Sequence, residues 1–441
     1  MPRKTLSLAL TVFTLALMFV ASASATSNNW TEKVLHRFQG GGGDGVTPYS
    51  GLIFDQAGNL YGATYGGGQG VCTLNGCGTV IQLSPKKGGG WATRVLYRFL
   101  GGDGSNPLAR LIFDQSGNLY GATQRGGDLS CNAGAGCGTV FELSPPAKQG
   151  GTWTETVLHN FTSGSDGWAP DATLAFDQSG NLFGTTAAGG GTGCSKYGCG
   201  TVFELAPPGQ HGGAWTETVL YAFSDNDGAQ PMGDLVLEAS GALYGTTYHG
   251  GSGSCGVVFR LNPPNQQGGA WTESLLHHFT GKVNDGCNPY SGVILDEKGN
   301  LYGTAEGAGQ YGHGIVFQLK RPKTTSGIWK ITLLHSMGGG LYDGSQPEGD
   351  LIFDNAGNLY GTTSNNYVEG GGGGMVFQLE PPSTHGGVWK ENILHGFDGP
   401  HGWSPWSNVT RDKAGNLYGT TVGGGYPGCD GGCGVVFEMV P

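Results

Sequence analysis

Apolar and polar positions along this chain recur in blocks of about 60 residues, with no helical period in any of them. One block runs from Gly51 to Phe99. It reads GLIFD, a short apolar strand A; DQAG, a turn; NLYGATY, strand B; a glycine-rich loop; GTVIQLSP, strand C; KKGGG, a second loop; and WATRVLYRF, strand D. Strand D alternates apolar and polar over only part of its length. The loop GGDGSNP then leads into the next strand A. The glycine of the GNLYG-type hairpin falls at Gly58, Gly117, Gly180, Gly241, Gly299, Gly357 and Gly415, so there are seven units.

The hairpin D-x-x-G-N has a turn chemistry of its own. The acid (Asp55, Asp114, Asp177, Glu238, Asp296, Asp354, Asp412) accepts backbone N–H groups, and the glycine supplies positive φ. That account replaces a ring of seven catalytic carboxylates. A unit of this length has too little apolar surface for a core of its own. Seven four-stranded units that bury their faces on one another make an all-β protein, a seven-bladed β-propeller. The chain offers a closure: WTEKVLHRF from Trp30 reads as a strand D, and GVVFEMVP at the end as a strand C. The N-terminal strand is therefore expected to complete the last blade. Residues 26–441 form this single domain.

Residues 1–25 stand outside it. Arg3 and Lys4 precede an apolar run from Leu6 to Val20 and the small residues ASASA, the layout of a secretory signal cleaved after Ala25. The expected location is secreted, periplasmic or cell-surface. The formal net charge is −11. Removing Arg3 and Lys4 leaves 20 basic against 33 acidic residues, a net of −13. With no basic cluster, nucleic acid is excluded as a partner. After the signal no stretch is apolar and long enough to cross a bilayer as a helix. A monomer is expected.

Export permits disulfides. Eight of the ten cysteines form close pairs: Cys72/Cys77, Cys131/Cys137, Cys194/Cys199 and Cys429/Cys433. Cys255 lies in a B–C loop and Cys287 in the following D–A loop. In a four-stranded meander those loops emerge on one face, so these two are expected to pair across neighbouring blades.

The combined pattern VLHxF…DGxxPxxxLIFDxxGNLYGTTxxGG…GTVFELxPP resembles the GloVer-type tandem repeat of exported bacterial "choice-of-anchor" proteins, from Trp30 to Pro441. The resemblance implies an extracytoplasmic propeller-like protein without an assigned reaction. The GNLY hairpin is more loosely similar to turns in lactonase-type and streptogramin-lyase-type propellers, whose site residues have no counterparts here.

No nucleophile elbow, zinc-protease helix or Walker loop is present. Five histidines (His36, His159, His277, His335, His395) share one strand-D position with Tyr97 and Tyr221, which points to a packed ring with a polar tip. The D-G-x-x-P loops place Asp44, Asp103, Asp166, Asp227, Asp285 and Asp343 in matching turns, with His401 in the seventh. No cofactor is expected; calcium is conceivable at these acids. Repeated residues are scaffold, and a site should break the symmetry. On the B–C/D–A face the irregular residues include Trp168, Trp403, Trp406, Tyr65, Tyr248, His249, Glu306, His313 and Tyr426. Aromatic platforms with amides and carboxylates suit sugar rings and hydroxyls. The expected function is a binding module for a glycan or another surface ligand. The alternatives are a lyase- or lactonase-like enzyme and a structural surface protein.

Overall fold

The computed structural model describes residues 30–441 apart from 41–42, 71, 73–75, 149, 192, 195–196, 211–212, 267, 325–326, 341–342, 366–372, 385, 426–427 and 430. The expected signal, residues 1–25, lies outside the described residues. Seven four-stranded antiparallel sheets form the blades. In blade 1, strand A is Ile53–Phe54, B is Leu60–Thr64, C is Thr79–Pro85 and D is Trp91–Arg98. Blades 2 to 6 repeat this order through strand D of blade 6, Lys390–Gly396. Blade 7 combines both parts of the chain: Thr410–Arg411, Leu417–Thr421 and Val435–Val440 are its strands A to C, and Thr31–Arg37 pairs with Val435–Val440 as its strand D. Among the described residues, helix is limited to short 3-10 turns inside disulfide loops, Asn132–Gly134 between Cys131 and Cys137 and one at Tyr197 between Cys194 and Cys199.

The FDxxGNLYG stretch closes each A–B hairpin. Asp55 Oδ1 accepts the backbone N–H of Ala57 and Asn59, Oδ2 accepts the Asn59 amide, and Tyr61 donates its hydroxyl to Oδ2 at 3.0 Å. The same set is built on Asp412. In blade 4 the longer Glu238 takes over, and Arg321 of blade 5 reaches it at 2.6 Å.

Strand B is buried throughout in all seven blades. The buried apolar residues fall into seven clusters, each shared by two adjacent blades. The first tryptophan of each strand D packs on the aromatic of the GNLYG hairpin in the preceding blade, as Trp153 does on Tyr61 and Trp91 on Tyr418. Trp30 completes the series on Tyr360. Each blade therefore depends on its neighbours for its core, which is why a unit this short does not stand alone.

The C–D pairing slips by one residue in every blade, between Val80 and Ile81 in blade 1. This bulge explains the broken alternation of strand D. Leu96 is the extra residue, and it is buried. The bulge then turns the following Tyr97 toward the D-G loop, where its hydroxyl donates to Asp103 at 2.6 Å.

Candidate functional site

The B–C and D–A loops meet on one face in all seven blades. The residue after each D-G-type dipeptide bridges the segment that extends strand B: Val46 with Gly66, Ser105 with Arg125, Trp168 with Ala188, Ala229 with His249, Cys287 with Gly307, Ser345 with Asn365 and Trp403 with Gly423. The glycine of the dipeptide is required by space, since a Cβ on Gly45 would lie 2.2 Å from Thr64 Oγ1.

All ten cysteines are paired, eight as their spacing indicated and two as the order of strands indicated. Cys72 is bonded to Cys77, Cys131 to Cys137, Cys194 to Cys199 and Cys429 to Cys433. Cys255 is joined to Cys287, with their Cα atoms 4.6 Å apart. The two members of a local pair have different surroundings. Cys199 and Cys433, which lie just before strand C, are fully buried in the cores between blades. Neither lines the groove or the axial cavity described below, so their role is to anchor the B–C loop to the scaffold. Their partners stand farther out in the loop, and Cys194 reaches the groove.

Each D–A loop carries a proline, and the three residues after it turn toward the axis. The first of the three are Tyr49, Leu108, Asp171, Met232, Tyr290, Glu348 and Trp406. The third are Gly51, Arg110, Thr173, Asp234, Gly292, Asp350 and Asn408. All but Gly292 line one small cavity of about 70 Å³, to which every blade contributes. The middle residue lies against the preceding blade: Thr420 of blade 7 donates to the Ser50 carbonyl before blade 1, and Thr362 of blade 6 to the Ser407 carbonyl before blade 7. These two tiers are where the seven-fold pattern fails.

The lower tier holds a carboxyl pair. Asp350 is pushed well above the usual carboxylate range, first by burial and then by the charge of Asp234. Asp234 accepts the Thr173 N–H and Asp350 the Gly292 N–H, each at 2.7 Å. Arg110 stands 3.9 Å from Asp234. In the upper tier, burial pushes Asp171 up to about 7 against the opposing pull of Gln124 and Arg125. Burial likewise raises Glu348 to about 8, with Glu306 adding a like charge. Tyr248 donates its hydroxyl to Glu306.

Aromatic rings run in contact past this cavity. Tyr65 meets Tyr49 at 5.5 Å between centroids, Tyr49 meets Trp406 at 5.2 Å, Trp406 meets Tyr290 at 5.7 Å and Tyr290 meets Tyr248 at 6.1 Å. His249 packs edge-on against Tyr248 at 4.5 Å.

A larger groove of about 610 Å³ opens beside the axis on blades 2 to 4. Gln124 and Arg125 line it from blade 2, Trp168 and Tyr197 from blade 3, and Gln230 and His249 from blade 4. Asp171 and Met232 line both the groove and the axial cavity, so the two spaces adjoin at that point.

The residues singled out in the sequence do not gather in one place. Trp168 and His249 line the groove. Trp406 lines the axial cavity, and Tyr65, Tyr248 and Glu306 lie beside it. Trp403 belongs to blade 7, outside the groove. Its indole donates to the Gly431 carbonyl, and its ring lies where a Cβ on Gly423 or Gly431 would stand. His313 packs against the Gly338 backbone. Tyr426 lies outside the described residues. Tyr49, Asp171, Tyr290 and Glu348 were not among the sequence candidates. The available signal was the variable triplet between the repeated proline and the repeated apolar residue.

Five of the seven strand-D rings form a polar clasp between blades, whereas His159 Nε2, 3.6 Å from Asp166, and His395 Nε2 have no hydrogen-bond partner. His36, His277 and His335 reach the D-G aspartates Asp44, Asp285 and Asp343 at 2.6, 2.7 and 3.1 Å, and Tyr97 and Tyr221 do the same. A glutamate of the next strand D joins two clasps: Glu273 accepts from Tyr221 at 3.2 Å, and Glu391 stands 3.6 Å from His335. Among the described residues, His335, Asp343 and Glu391 are the one set of three whose ligand atoms lie within 4.8 Å of one another. The corresponding clasps use tyrosine in blades 1 and 3, where hydrogen bonding alone makes the same arrangement.

The Gloeobacter/Verrucomicrobia repeat matches the chain three times, over residues 20–196, 73–289 and 265–441. The chain belongs to this repeat family. No curated protein matches it. Among solved structures, this Gloeobacter/Verrucomicrobia repeat protein is similar to the extracellular domain of a protein described as a hybrid two-component system from B. thetaiotaomicron. The identity is 12%, the TM-score 0.51, and the match covers 93% of this chain and 41% of that one. The chain thus spans about two fifths of that protein's length. A fungal alcohol oxidase of the AA5 family, in complex with copper, matches at 13% identity with a TM-score of 0.57, covering 93% of this chain and 76% of that one. At these identities the likeness is one of fold. Among the described residues, no helix is long and apolar enough to cross a membrane.

Proposed function

We propose that this protein is an exported binding module that takes a sugar ring in the groove on blades 2 to 4. The groove carries the reading. Its volume of about 610 Å³ suits a small ligand, and Trp168 and Tyr197 give it aromatic walls beside Arg125, Gln124, Gln230 and His249. Aromatic faces stack on the apolar face of a pyranose, and the polar groups hold its hydroxyls. Five disulfides and the apolar leader at residues 6–20 support an oxidising, extracytoplasmic location. The reading invokes no metal. A glycan array probed with protein lacking residues 1–25, in calcium and in chelator, tests it. Binding to a defined glycan in both conditions is expected. Absence of binding to any glycan, or binding that requires calcium, contradicts it.

A further inference from the structure

The axial cavity contains two carboxylate oxygens without a partner. Asp171 is 7% exposed and Glu348 is 6% exposed, and both line the cavity. Neither Asp171 Oδ1 nor Glu348 Oε2 has a hydrogen-bond partner. A buried carboxylate oxygen left unpaired is costly. The fold does not impose an acid here, because Leu108 and Met232 hold the same place in blades 2 and 4. Both carboxyls are held up, near 7 and 8, mainly by burial, which outweighs the pull of Gln124 and Arg125 on Asp171 and of Ser364 on Glu348. Glu306, Asp234 and Asp350 stand nearby with Arg110 and Arg125, and a cation entering the space would be met by raised carboxyls that ionise to hold it.

The form of that cation follows from spacing and surroundings. These acids do not bring three ligand atoms within 4.8 Å of one another, as a compact coordination shell for a hard metal ion would require. An ammonium has three donors that reach separated oxygens, and it is attracted to aromatic faces such as those of Tyr49, Tyr290 and Trp406 beside the cavity. Asp171 also lines the groove. We propose that the ligand is an amino sugar with a free ammonium, its ring in the groove and its ammonium at Asp171, directed into the axial cavity toward Glu348. This rests on the groove reading above and narrows it to one substrate class.

Calorimetric titration of the protein lacking residues 1–25 with a glucosamine tetramer and with its N-acetylated counterpart tests the inference. Acetylation removes the charge and leaves the sugar ring. The free amine is expected to bind about tenfold tighter or more, the scale of one charge-assisted contact. In the double variant Asp171→Asn/Glu348→Gln, the ratio of the two affinities is expected to fall below about twofold, whatever happens to either affinity alone. Equal binding, or tighter binding of the acetylated tetramer, overturns the inference and leaves the groove reading standing. A preference that survives in the double variant overturns it as well. Binding of neither tetramer overturns the inference and counts against the groove. The comparison of ligands on the unmodified protein does not depend on the folding of the variant.

Discussion

At the scale of the residue, the repeated acids have structural roles in two distinct places. The hairpin acids hold turns, as their spacing ahead of glycine indicated. The D-G aspartates and the strand-D rings were read separately as turn and packing groups, and the structure joins them in one clasp. That link was not legible, because the bulge at Leu96 and its equivalents is what re-aims the ring. The clasps predict a pH dependence. Glu155, Glu217, Glu273 and Glu391 are raised to about 7, chiefly by burial and further by the neighbouring Asp103, Asp166, Asp227 and Asp343. A carboxyl raised in the folded state contributes stability that is present below its ordinary value and lost as pH rises through its folded value. His335, also raised, acts in the same direction, whereas His159 and His395, lowered by burial, oppose it. The glutamates outnumber the opposing histidines, so the melting temperature should fall by a few degrees between pH 5 and pH 8.5. Asp171, Glu348 and Asp350 at the axis add to the fall, so replacing the four glutamates with glutamine should reduce that slope without abolishing it, measured by thermal unfolding across the range. A melting temperature that rises over the same interval would refute the clasp electrostatics.

At the scale of the element, the number and order of strands were readable from the seven hairpins, while strand A was not expected to be as short as two residues. It runs between the triplet that turns to the axis and the Asp turn, and little length is left for pairing. The glycine-rich B–C loops were readable as loops, and the reason for their glycines lies in close backbone approach: a Cβ on Gly136 would sit 2.1 Å from the Gly126 carbonyl oxygen. The local pairing of eight cysteines was legible from spacing and that of Cys255 with Cys287 from strand order, but the burial of Cys199 and Cys433 was not, because it depends on the neighbouring blade. The Cys255–Cys287 bond ties a B–C loop of blade 4 to the D–A loop that enters blade 5, with a sequence separation of 32. Chain entropy makes it worth about 4 kcal/mol, against about 2 kcal/mol for a local pair such as Cys72–Cys77, with a separation of 5. Denaturant unfolding of Cys255→Ser/Cys287→Ser and Cys72→Ser/Cys77→Ser should therefore show the larger loss for the first. A larger loss for the local pair would contradict that ranking.

At the scale of the whole molecule, the ring closes by a strand from the far end of the sequence. Val34 pairs with Phe437 and Arg37 with Val435, and Trp30 fills its place on Tyr360. Removing residues 26–38 strips the outer strand from blade 7 and leaves an open edge. That variant should aggregate or unfold at a much lower temperature, and an unchanged melting temperature would contradict closure. Closure was legible because the two ends of the chain carry complementary parts of one repeat. The axial tiers were not, because a linear reading weights loops by their irregularity and cannot tell which three residues of a loop turn inward. The same reading ranked Trp168 and Trp403 alike, since both follow a loop glycine, yet they belong to blades 3 and 7 and only Trp168 lines the groove. That difference gives the most direct test of a site confined to blades 2 to 4. For a glycan bound by the protein, affinity should be measured by calorimetry in Trp168→Ala and Trp403→Ala. Trp168→Ala should lose about 1–3 kcal/mol, the scale of one large apolar contact, and Trp403→Ala should bind as the unmodified protein does. Unchanged binding by Trp168→Ala, or an equal loss in both, would contradict the site.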